Sequence, residues 1–260
     1  MRTAQVLDGP RRLLLWIARH APHSPHPLKT IDPRQYWARR YLSLCYVRGR
    51  GIEIGALHEP LPLYWGAKAI YLDRLNVEAL LKHYPELAKF PLTRPEVIAD
   101  GEKLVCFRDD VFDFLVANHF IEHCENPIGA LESHLAKLRV GGILYLAVPN
   151  KDFTFDKPRP LTALEHLLAD YAAGPGRERR QHYEEYALLV DRMPRHQVVA
   201  HANRLMAMDY SIHFHVWNAD SFEALLNHLQ CELHFPFEIV TQVRWDYNPY
   251  EIVFVLRKKN

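Results

Sequence analysis

Gly51-Ile52-Glu53-Ile54-Gly55-Ala56 predicts a buried strand that ends in a glycine turn, and Leu72-Asp73 predicts the end of a second strand. Neighbouring strands that end in a glycine turn and in a carboxylate are typical of an open α/β sheet. Such a sheet binds its ligands outside the carboxyl ends of the strands. This short stretch therefore predicts both the fold class and the edge of the sheet where a nucleoside would bind.

Apolar runs and helical patterns alternate along the chain on both sides of this stretch. Alternation of this kind predicts a doubly wound α/β fold with a mostly parallel seven-stranded sheet, Rossmann-like, and an antiparallel hairpin at its C-terminal edge. The expected strands are 52–54, 68–72, 97–99, 112–117, 143–148, 237–245 and 251–257, with Asp246-Tyr247-Asn248-Pro249 joining the last two. The expected helices are 33–47, 77–87, 161–171, 181–190, 221–229 and one that starts at Asn126-Pro127 and ends at Gly141-Gly142.

The pattern also divides the chain. Residues 1–32 combine a short amphipathic helix with a linker rich in proline and histidine, so they are expected to form an N-terminal helical extension. Residues 33–260 are expected to form the main domain. Between about 150 and 212 the sequence becomes polar, aromatic and helical. This segment is interpreted as a helical insertion beside the site, which binds the molecule on which the protein acts.

Composition limits the function classes. The net charge of +1 gives no electrostatic case for nucleic acid as a partner. The apolar run after Arg11-Arg12 is interrupted by Arg19 and His20, and no other run approaches the ~20 apolar residues of a spanning helix. The four cysteines are widely spaced and form no CxxC pair, which favours a reducing compartment. A cytoplasmic protein with no transmembrane segment is expected.

The glycine turn indicates which cofactor is expected. A dinucleotide site requires Gly-x-Gly-x-x-Gly, but here only Gly-x-x-x-Gly is present, with Glu53 between Gly51 and Gly55. A carboxylate at that position suits a ligand that lacks phosphate and carries positive charge. S-adenosylmethionine fits this description, and Asp73, 18 residues after Gly55, is placed to accept hydrogen bonds from its ribose hydroxyls. A nicotinamide oxidoreductase is disfavoured because its phosphate-binding fingerprint is missing.

A longer set of motifs resembles the class I S-adenosylmethionine-dependent methyltransferases of the type 11 kind over about residues 50–150. The segment 113–123 is similar to the strand after the adenine-binding position, and Asn126-Pro127 to the helix start that follows it. The chain departs from the family pattern at Arg139-Val140, where Lys-Pro is usual, and at Ala56-Leu57-His58, where glycine usually repeats. Matching pieces are Glu122-His123, Leu138-Arg139-Val140-Gly141-Gly142 and Val148-Pro149-Asn150. Segments 153–162, 164–166 and 181–185 further resemble a bacterial subgroup often associated with surface-polysaccharide synthesis.

This resemblance implies roles for residues at the strand ends. Asp73 would bind the ribose of S-adenosylmethionine, and Asp100 with Gly101 would bind the adenine. Asn118 and His119 would lie near the sulfur, and S-adenosylhomocysteine would be the product. The amino-acid end of the cofactor would contact Gly51, Glu53, Gly55 and Ala56.

A methyl acceptor with a hydroxyl group also needs a base, and four residues are candidates: His123, Asp152, Asp156 and His215. The alternation His213-Phe214-His215 would place two imidazoles on one face if the segment is extended. His182, His196 or His201 would be needed to complete a metal site there. One histidine pair does not define such a site, so no metal is predicted.

The expected function is O-methylation of a sugar or glycan-precursor hydroxyl by in-line displacement. A phenol or an amine of a small natural product is the alternative acceptor. A non-catalytic partner protein with a degenerate cofactor pocket is an alternative from another class. The identity of the acceptor and the oligomeric state are left open by the sequence.

Overall fold

The computed structural model describes residues 33–174, 176, 178–244 and 250–260. The expected N-terminal extension and the expected turn at 246–249 lie outside these residues. The strands are β1 (Arg50–Ile54), β2 (Lys68–Asp73), β3 (Val97–Ile98), β4 (Phe112–Asn118), β5 (Leu138–Pro149), β6 (Phe237–Val243) and β7 (Glu251–Lys258). The helices are α1 (Pro33–Tyr46), α2 (Val77–His83), α3 (Pro127–Lys137), α4 (Leu164–Ala173), α5 (Arg179–Leu189), α6 (Val198–Ala207) and α7 (Ala219–Cys231).

The strands form one seven-stranded sheet in the order β3-β2-β1-β4-β5-β7-β6. The first five strands in this order are parallel, while β7 pairs antiparallel with both β5 and β6. The predicted doubly wound sheet with an antiparallel hairpin at its edge is therefore confirmed. β6 forms the outer edge, and β7 lies one strand further in.

Both faces of the sheet are covered, which explains why its central strands are apolar almost without interruption. Ile52 and Ile54 point into a core shared with α3 and α7. Val116 and Tyr145 point to the opposite face, where the core includes Leu42 of α1. A smaller cluster belongs to the segment between β5 and α7; its members are Tyr183, Ala202, Leu205, Ile212 and Phe214.

Two predicted helix ends are wrong, one because of a long-range strand contact and one because of a nearby proline. α3 begins as predicted, since the Asn126 side chain accepts a hydrogen bond from the Gly129 amide at 2.9 Å and Pro127 follows. It ends at Lys137 rather than at Gly141-Gly142, because the buried Leu138 pairs with Phe112 and already starts β5. α2 ends at His83 rather than at residue 87, since Pro85 disfavours helical backbone at the residue before it. α6 was not predicted.

None of the helices in the described ranges has both the length and the apolar character that crossing a bilayer requires.

Candidate active site

A cavity of about 690 Å³ lies at the carboxyl ends of β1 to β4. This volume is within the range of about 300–1,000 Å³ that is usual for small-molecule sites. The strand ends form one wall, and the segment between β5 and α7 forms the opposite wall. Six of the residues predicted for the site line it: Gly55, Asp73, Asp100, Gly101, His119 and His123.

Two carboxylates mark one end of the cavity. Asp73 ends β2, and one of its oxygens accepts a hydrogen bond from the Leu75 amide at 3.1 Å. Burial raises the pKa of this carboxyl group, although its backbone hydrogen bonds oppose the shift. Asp100 follows β3 and caps the next turn through the Glu102 amide at 2.9 Å. Both carboxylates line the cavity, so both remain available to a polar ligand.

The sequence prediction did not include Glu102, although this acid lies only two residues after Asp100. It lines the cavity. Its burial, together with the nearby carboxylates of Asp100 and Glu125, raises its pKa to about 7. At neutral pH this end of the cavity can therefore both accept and donate hydrogen bonds.

Two glycines shape the floor of the cavity. Gly55 adopts a φ of +62°, and a Cβ there would have no neighbour within 4 Å, so the space beside it is open to a ligand. Leu57 also adopts left-handed backbone, with a φ of +46°. Gly101 is different, because a Cβ there would lie 2.7 Å from Ile54 and 2.8 Å from Phe120. Gly101 is thus required by packing under the cavity.

Four residues predicted to bind the cofactor do not line the cavity: Gly51, Glu53, Ala56 and Asn118. A Cβ at Gly51 would lie 2.2 Å from the Phe114 carbonyl oxygen, so this glycine permits close strand packing. Glu53 is buried behind the turn, where it accepts a hydrogen bond from the Leu61 amide at 2.7 Å. Burial raises the pKa of Glu53 to about 8. In this geometry Glu53 shapes the loop that follows β1.

His119 occupies the corner where β4 ends, and its backbone is left-handed with a φ of +49°. A non-glycine residue in this region is uncommon and is often found at functional sites. Its Nε2 lies 2.9 Å from a Glu251 carboxylate oxygen, which can only accept, so Nε2 carries a proton. Burial would lower the pKa of His119, but the hydrogen bond to Glu251 and the charges of Glu122 and Glu251 outweigh it and raise the pKa.

Behind His119 lies a buried ion pair that the sequence did not suggest. Glu251, the first residue of β7, has no exposed surface and accepts hydrogen bonds from Arg39 of α1 at 3.0 and 2.5 Å. Burial would raise the pKa of Glu251, but Arg39 and His119 together lower it to about 2. Glu251 is therefore ionised, and it anchors the histidine at the corner of the cavity.

His123 lies in the short turn after β4 and also lines the cavity. Its Nδ1 is 2.9 Å from the Ile212 carbonyl oxygen, which can only accept a hydrogen bond. Nδ1 therefore carries the proton, and Nε2 of the neutral ring carries the lone pair. Burial, followed by the charge of His213, lowers the pKa of His123 to about 3. The ring is thus a neutral hydrogen-bond acceptor at physiological pH.

The other three base candidates do not line the cavity. Asp152 is exposed and lies 3.4 Å from Lys151. Asp156 is buried, with Arg159 at 3.0 Å and His213 Nδ1 at 2.6 Å. These ion pairs lower its pKa against the effect of burial, which would raise it. Its partner His213 packs edge-on against the His123 ring at 4.7 Å between centroids.

The expectation that His213 and His215 share one face is wrong. His213 contacts His123, whereas His215 is fully buried against His166 and His182. Residues 211–216 pair with no strand, and Trp217 forms only an isolated bridge with Asn150, so the two-residue alternation of a strand does not apply to His213 and His215.

Charged residues connect the two walls of the cavity. Arg179 of α5 lies 2.5 Å from Glu125 and 2.9 Å from Asp209. Asp209 is also 2.7 Å from Arg74, which follows β2. This series of ion pairs, Glu125–Arg179–Asp209–Arg74, thus connects the end of β2 with the segment between β5 and α7. All four residues line the cavity.

Comparison with known proteins identifies a family for the chain. Residues 40–234 match the model of a methyltransferase domain family. An uncharacterised protein of Methanocaldococcus jannaschii is 29% identical over 107 residues, which is 40% of this chain and 47% of that protein. The chain therefore spans less than half the length of that relative.

Solved structures show the same fold. One from Rhodobacter sphaeroides, provisionally classed with the zinc-dependent alcohol dehydrogenases, superposes with a TM-score of 0.52 at 15% identity, over 87% of this chain and 94% of that one. At this identity the likeness concerns the fold alone. A Thermotoga maritima S-adenosylmethionine-dependent methyltransferase superposes with a TM-score of 0.44 at 13% identity, over 98% of this chain and 97% of that one.

A doubly wound sheet with a cavity at its carboxyl edge is typical of α/β proteins that bind a ligand there. Because the family model covers most of the chain, the protein belongs to the methyltransferase domain family, and S-adenosylmethionine is the cofactor that the sequence predicts for it. The residues present fit that cofactor. Asp73 and Asp100 offer carboxylates for polar hydrogens, and Gly55 leaves open space where the ligand approaches the turn.

Proposed function

We propose that the protein methylates a hydroxyl group of a small ring-shaped acceptor, a sugar in the first instance, and that His123 binds this hydroxyl. The observation that carries the proposal is the geometry of His123. Its proton is fixed on Nδ1 by the Ile212 carbonyl at 2.9 Å, and its ring lines the same cavity as Asp73 and Asp100. Nε2 then accepts a hydrogen bond from the acceptor hydroxyl and takes its proton as the methyl group bonds to the oxygen, because this bond makes the proton strongly acidic.

Different residues would bind the cofactor, bind the acceptor and exclude water. Asp73 and Asp100 would hold S-adenosylmethionine, which supplies the methyl group on a sulfonium sulfur when it is bound. His119, held in place by Glu251, lines the same cavity as His123. Transfer requires mainly that nucleophile and methyl carbon be aligned at about 3 Å and that water be excluded. The ion pairs from Arg74 to Glu125 would help to close the cavity against water.

The far wall supports a ring-shaped acceptor. Tyr183, Tyr210 and Phe214 line it, and the ring of Tyr84, which follows α2 and also lines the cavity, is 5.9 Å from that of Tyr210. Aromatic faces of this kind stack on the apolar face of a sugar, while Ser211 and the charged rim offer hydrogen bonds to its hydroxyls. A phenol would use the same faces, and it is the second candidate acceptor.

The test has two stages. Calorimetry with S-adenosylhomocysteine should show binding, with NAD as the negative control, and a folded protein that binds neither would refute the cofactor assignment. Acceptor screening by mass spectrometry should then give a product heavier by one methyl group with sugars or sugar nucleotides. Methylation of phenols alone would refute the sugar assignment.

A variant locates the acceptor site. His123→Phe keeps the ring volume but removes both nitrogens, so the rate should fall by about 10²–10⁴. Its affinity for S-adenosylhomocysteine should stay within a few-fold of the wild type. The matched control is His196→Phe, an exposed histidine that does not line the cavity. An unchanged rate in His123→Phe would refute the role of His123.

A further inference from the structure

Four side chains behind the far wall of the cavity bring their ligand atoms together. His166 and Asp170 lie one turn apart on α4, His182 lies on α5, and His215 lies in the segment after α6. One atom from each of these four residues lies within 4.8 Å of the other three. None of the four lines the cavity, so the cluster is separate from the active site.

The distances within the cluster match those of a metal site. The Nε2 atoms of His166 and His182 are 3.3 Å apart, and His166 Nε2 is 3.1 Å from Asp170 Oδ2. His215 Nε2 is 3.9 Å from the same Asp170 oxygen. A tetrahedral zinc ion with nitrogen and oxygen ligands at 2.0–2.2 Å places neighbouring ligand atoms about 3.3–3.5 Å apart. The cluster is therefore close to the size of a zinc coordination shell before any adjustment.

The surroundings of His215 also point to a ligand. Its side chain has no exposed surface, and its Nδ1 has no hydrogen-bond partner among the described residues. Its Nε2 has only a 3.4 Å contact with the Glu125 carbonyl oxygen, which is longer than an ordinary hydrogen bond. Buried polar atoms are normally satisfied, so a buried imidazole this poorly partnered needs an explanation. A metal ion would supply one.

His166 shows the outer-shell contact that orients metal-binding histidines. Its Nδ1 lies 3.1 Å from a Glu178 carboxylate oxygen. A carboxylate in this position fixes the proton on Nδ1 and leaves Nε2 as the ligand atom. That Nε2 is the atom nearest to both Asp170 and His182.

We propose that His166, Asp170, His182 and His215 form a structural zinc site. Three imidazoles and one carboxylate complete a closed four-coordinate shell, with no position open for a substrate. The site would join α4, α5 and the segment 211–217. Tyr183 and Phe214, which line the cavity, are the chain neighbours of His182 and His215. The metal would therefore hold the acceptor-facing wall in place, and its presence does not depend on which acceptor is methylated.

The first experiment measures metal content. The tag-free full-length protein, expressed with zinc in the medium and dialysed, should contain one zinc ion per chain by plasma mass spectrometry. His182→Gln and Asp170→Asn should lose most of that zinc, whereas His196→Gln, at an exposed histidine outside the cluster, should keep it. A wild-type protein that neither contains zinc nor takes up Zn²⁺ in competition with a chromophoric chelator would overturn the proposal.

A second experiment covers variants that fail to fold. Wild-type protein stripped with a chelator and reloaded with Co²⁺ should show the intense visible absorption of four-coordinate cobalt. Weak absorption typical of six-coordinate cobalt would overturn the closed shell. His123→Gln tests a different location, because Glu122, His123 and His213 also bring ligand atoms within 4.8 Å of one another. Loss of the zinc in that variant, with retention in His182→Gln, would move the metal to the active site and refute the proposal.

Discussion

Replacing Glu251 by glutamine should destabilise the protein strongly, because it removes the nearer and more deeply buried of the two carboxylates, Glu251 and Glu59, that pair with the Arg39 guanidinium. Glu251 has no exposed surface, and the Arg39 side chain is only 10% exposed. Removal of one partner from a buried ion pair typically costs about 3–5 kcal/mol. The depressed pKa of Glu251 gives a similar free energy. This pKa falls from the ordinary 4.5 to about 2, against the effect of burial, because of Arg39 and His119. At about 1.4 kcal/mol per pH unit this corresponds to about 3 kcal/mol.

Urea unfolding followed by tryptophan fluorescence would measure this loss. With an m-value of about 3 kcal/mol/M, a loss of about 3–5 kcal/mol lowers the midpoint by about 1–1.7 M. The matched control is Glu238→Gln, whose partner Arg257 lies 2.8 Å away with both side chains more than 40% exposed. An exposed pair of this kind contributes at most about 1 kcal/mol. If Glu251→Gln were no more destabilising than Glu238→Gln, the buried ion pair would not be a main source of stability.

The pH dependence gives the same experiment a second readout. Because the pKa of folded Glu251 is depressed, the stability it contributes is present above its ordinary pKa of 4.5 and is lost as the pH falls towards 2. The difference between wild type and Glu251→Gln should therefore shrink over that interval. A difference that stays constant down to pH 2 would contradict the assignment of the charge to Glu251.

Three further predictions concern the cavity and the strand behind it. Asp73→Ala should weaken S-adenosylhomocysteine binding at least ~10-fold by calorimetry, since a hydrogen bond to a charged group contributes about 1.5–3 kcal/mol; unchanged affinity in a folded variant would remove Asp73 from the ribose site. Glu53→Gln should stabilise the protein at pH 8 but not at pH 4, because burial raises the pKa of Glu53 in the folded protein to about 8. Above pH 4.5 the carboxyl group ionises more readily in the unfolded chain than in the folded protein, which opposes folding. Equal urea midpoints for variant and wild type at pH 8 would contradict this. Gly101→Ala should lower the melting temperature and reduce cofactor binding, since its Cβ would lie 2.7 Å from Ile54 and 2.8 Å from Phe120; an unchanged melting temperature would show that this backbone can shift.

Much of the fold could be predicted because the relevant signals are local. Residues 51–56 contain the signals for both a strand and the turn that ends it, and Asn126-Pro127 contains the signal for the start of a helix. The sequence pattern fails where a long-range contact determines the end of an element. Leu138 leaves the helix because Phe112 pairs with it, and that partner is 26 residues away in the sequence.

The same distinction applies to the site. Asp73, Asp100 and His119 were predictable because parallel strands bring their carboxyl ends to one edge. The contact between Arg39 and Glu251 was not, because 212 residues separate the two and neither lies in a motif. The separation of His213 from His215 was missed because the prediction assumed strand alternation, whereas residues 211–216 pair with no strand.

The link between α1 and β7 has a consequence for the order of folding. A contact between residues 212 positions apart closes a very large loop, and it forms only after most of the chain is already compact. During synthesis His119 leaves the ribosome more than a hundred residues before Glu251, so the corner of the cavity stays without its anchor until the last strand is made. Acquisition of the active conformation is thus tied to completion of the sheet, and a nascent chain that stops before β7 lacks the nearest ionic partner of Arg39, leaving only Glu59 to pair with it.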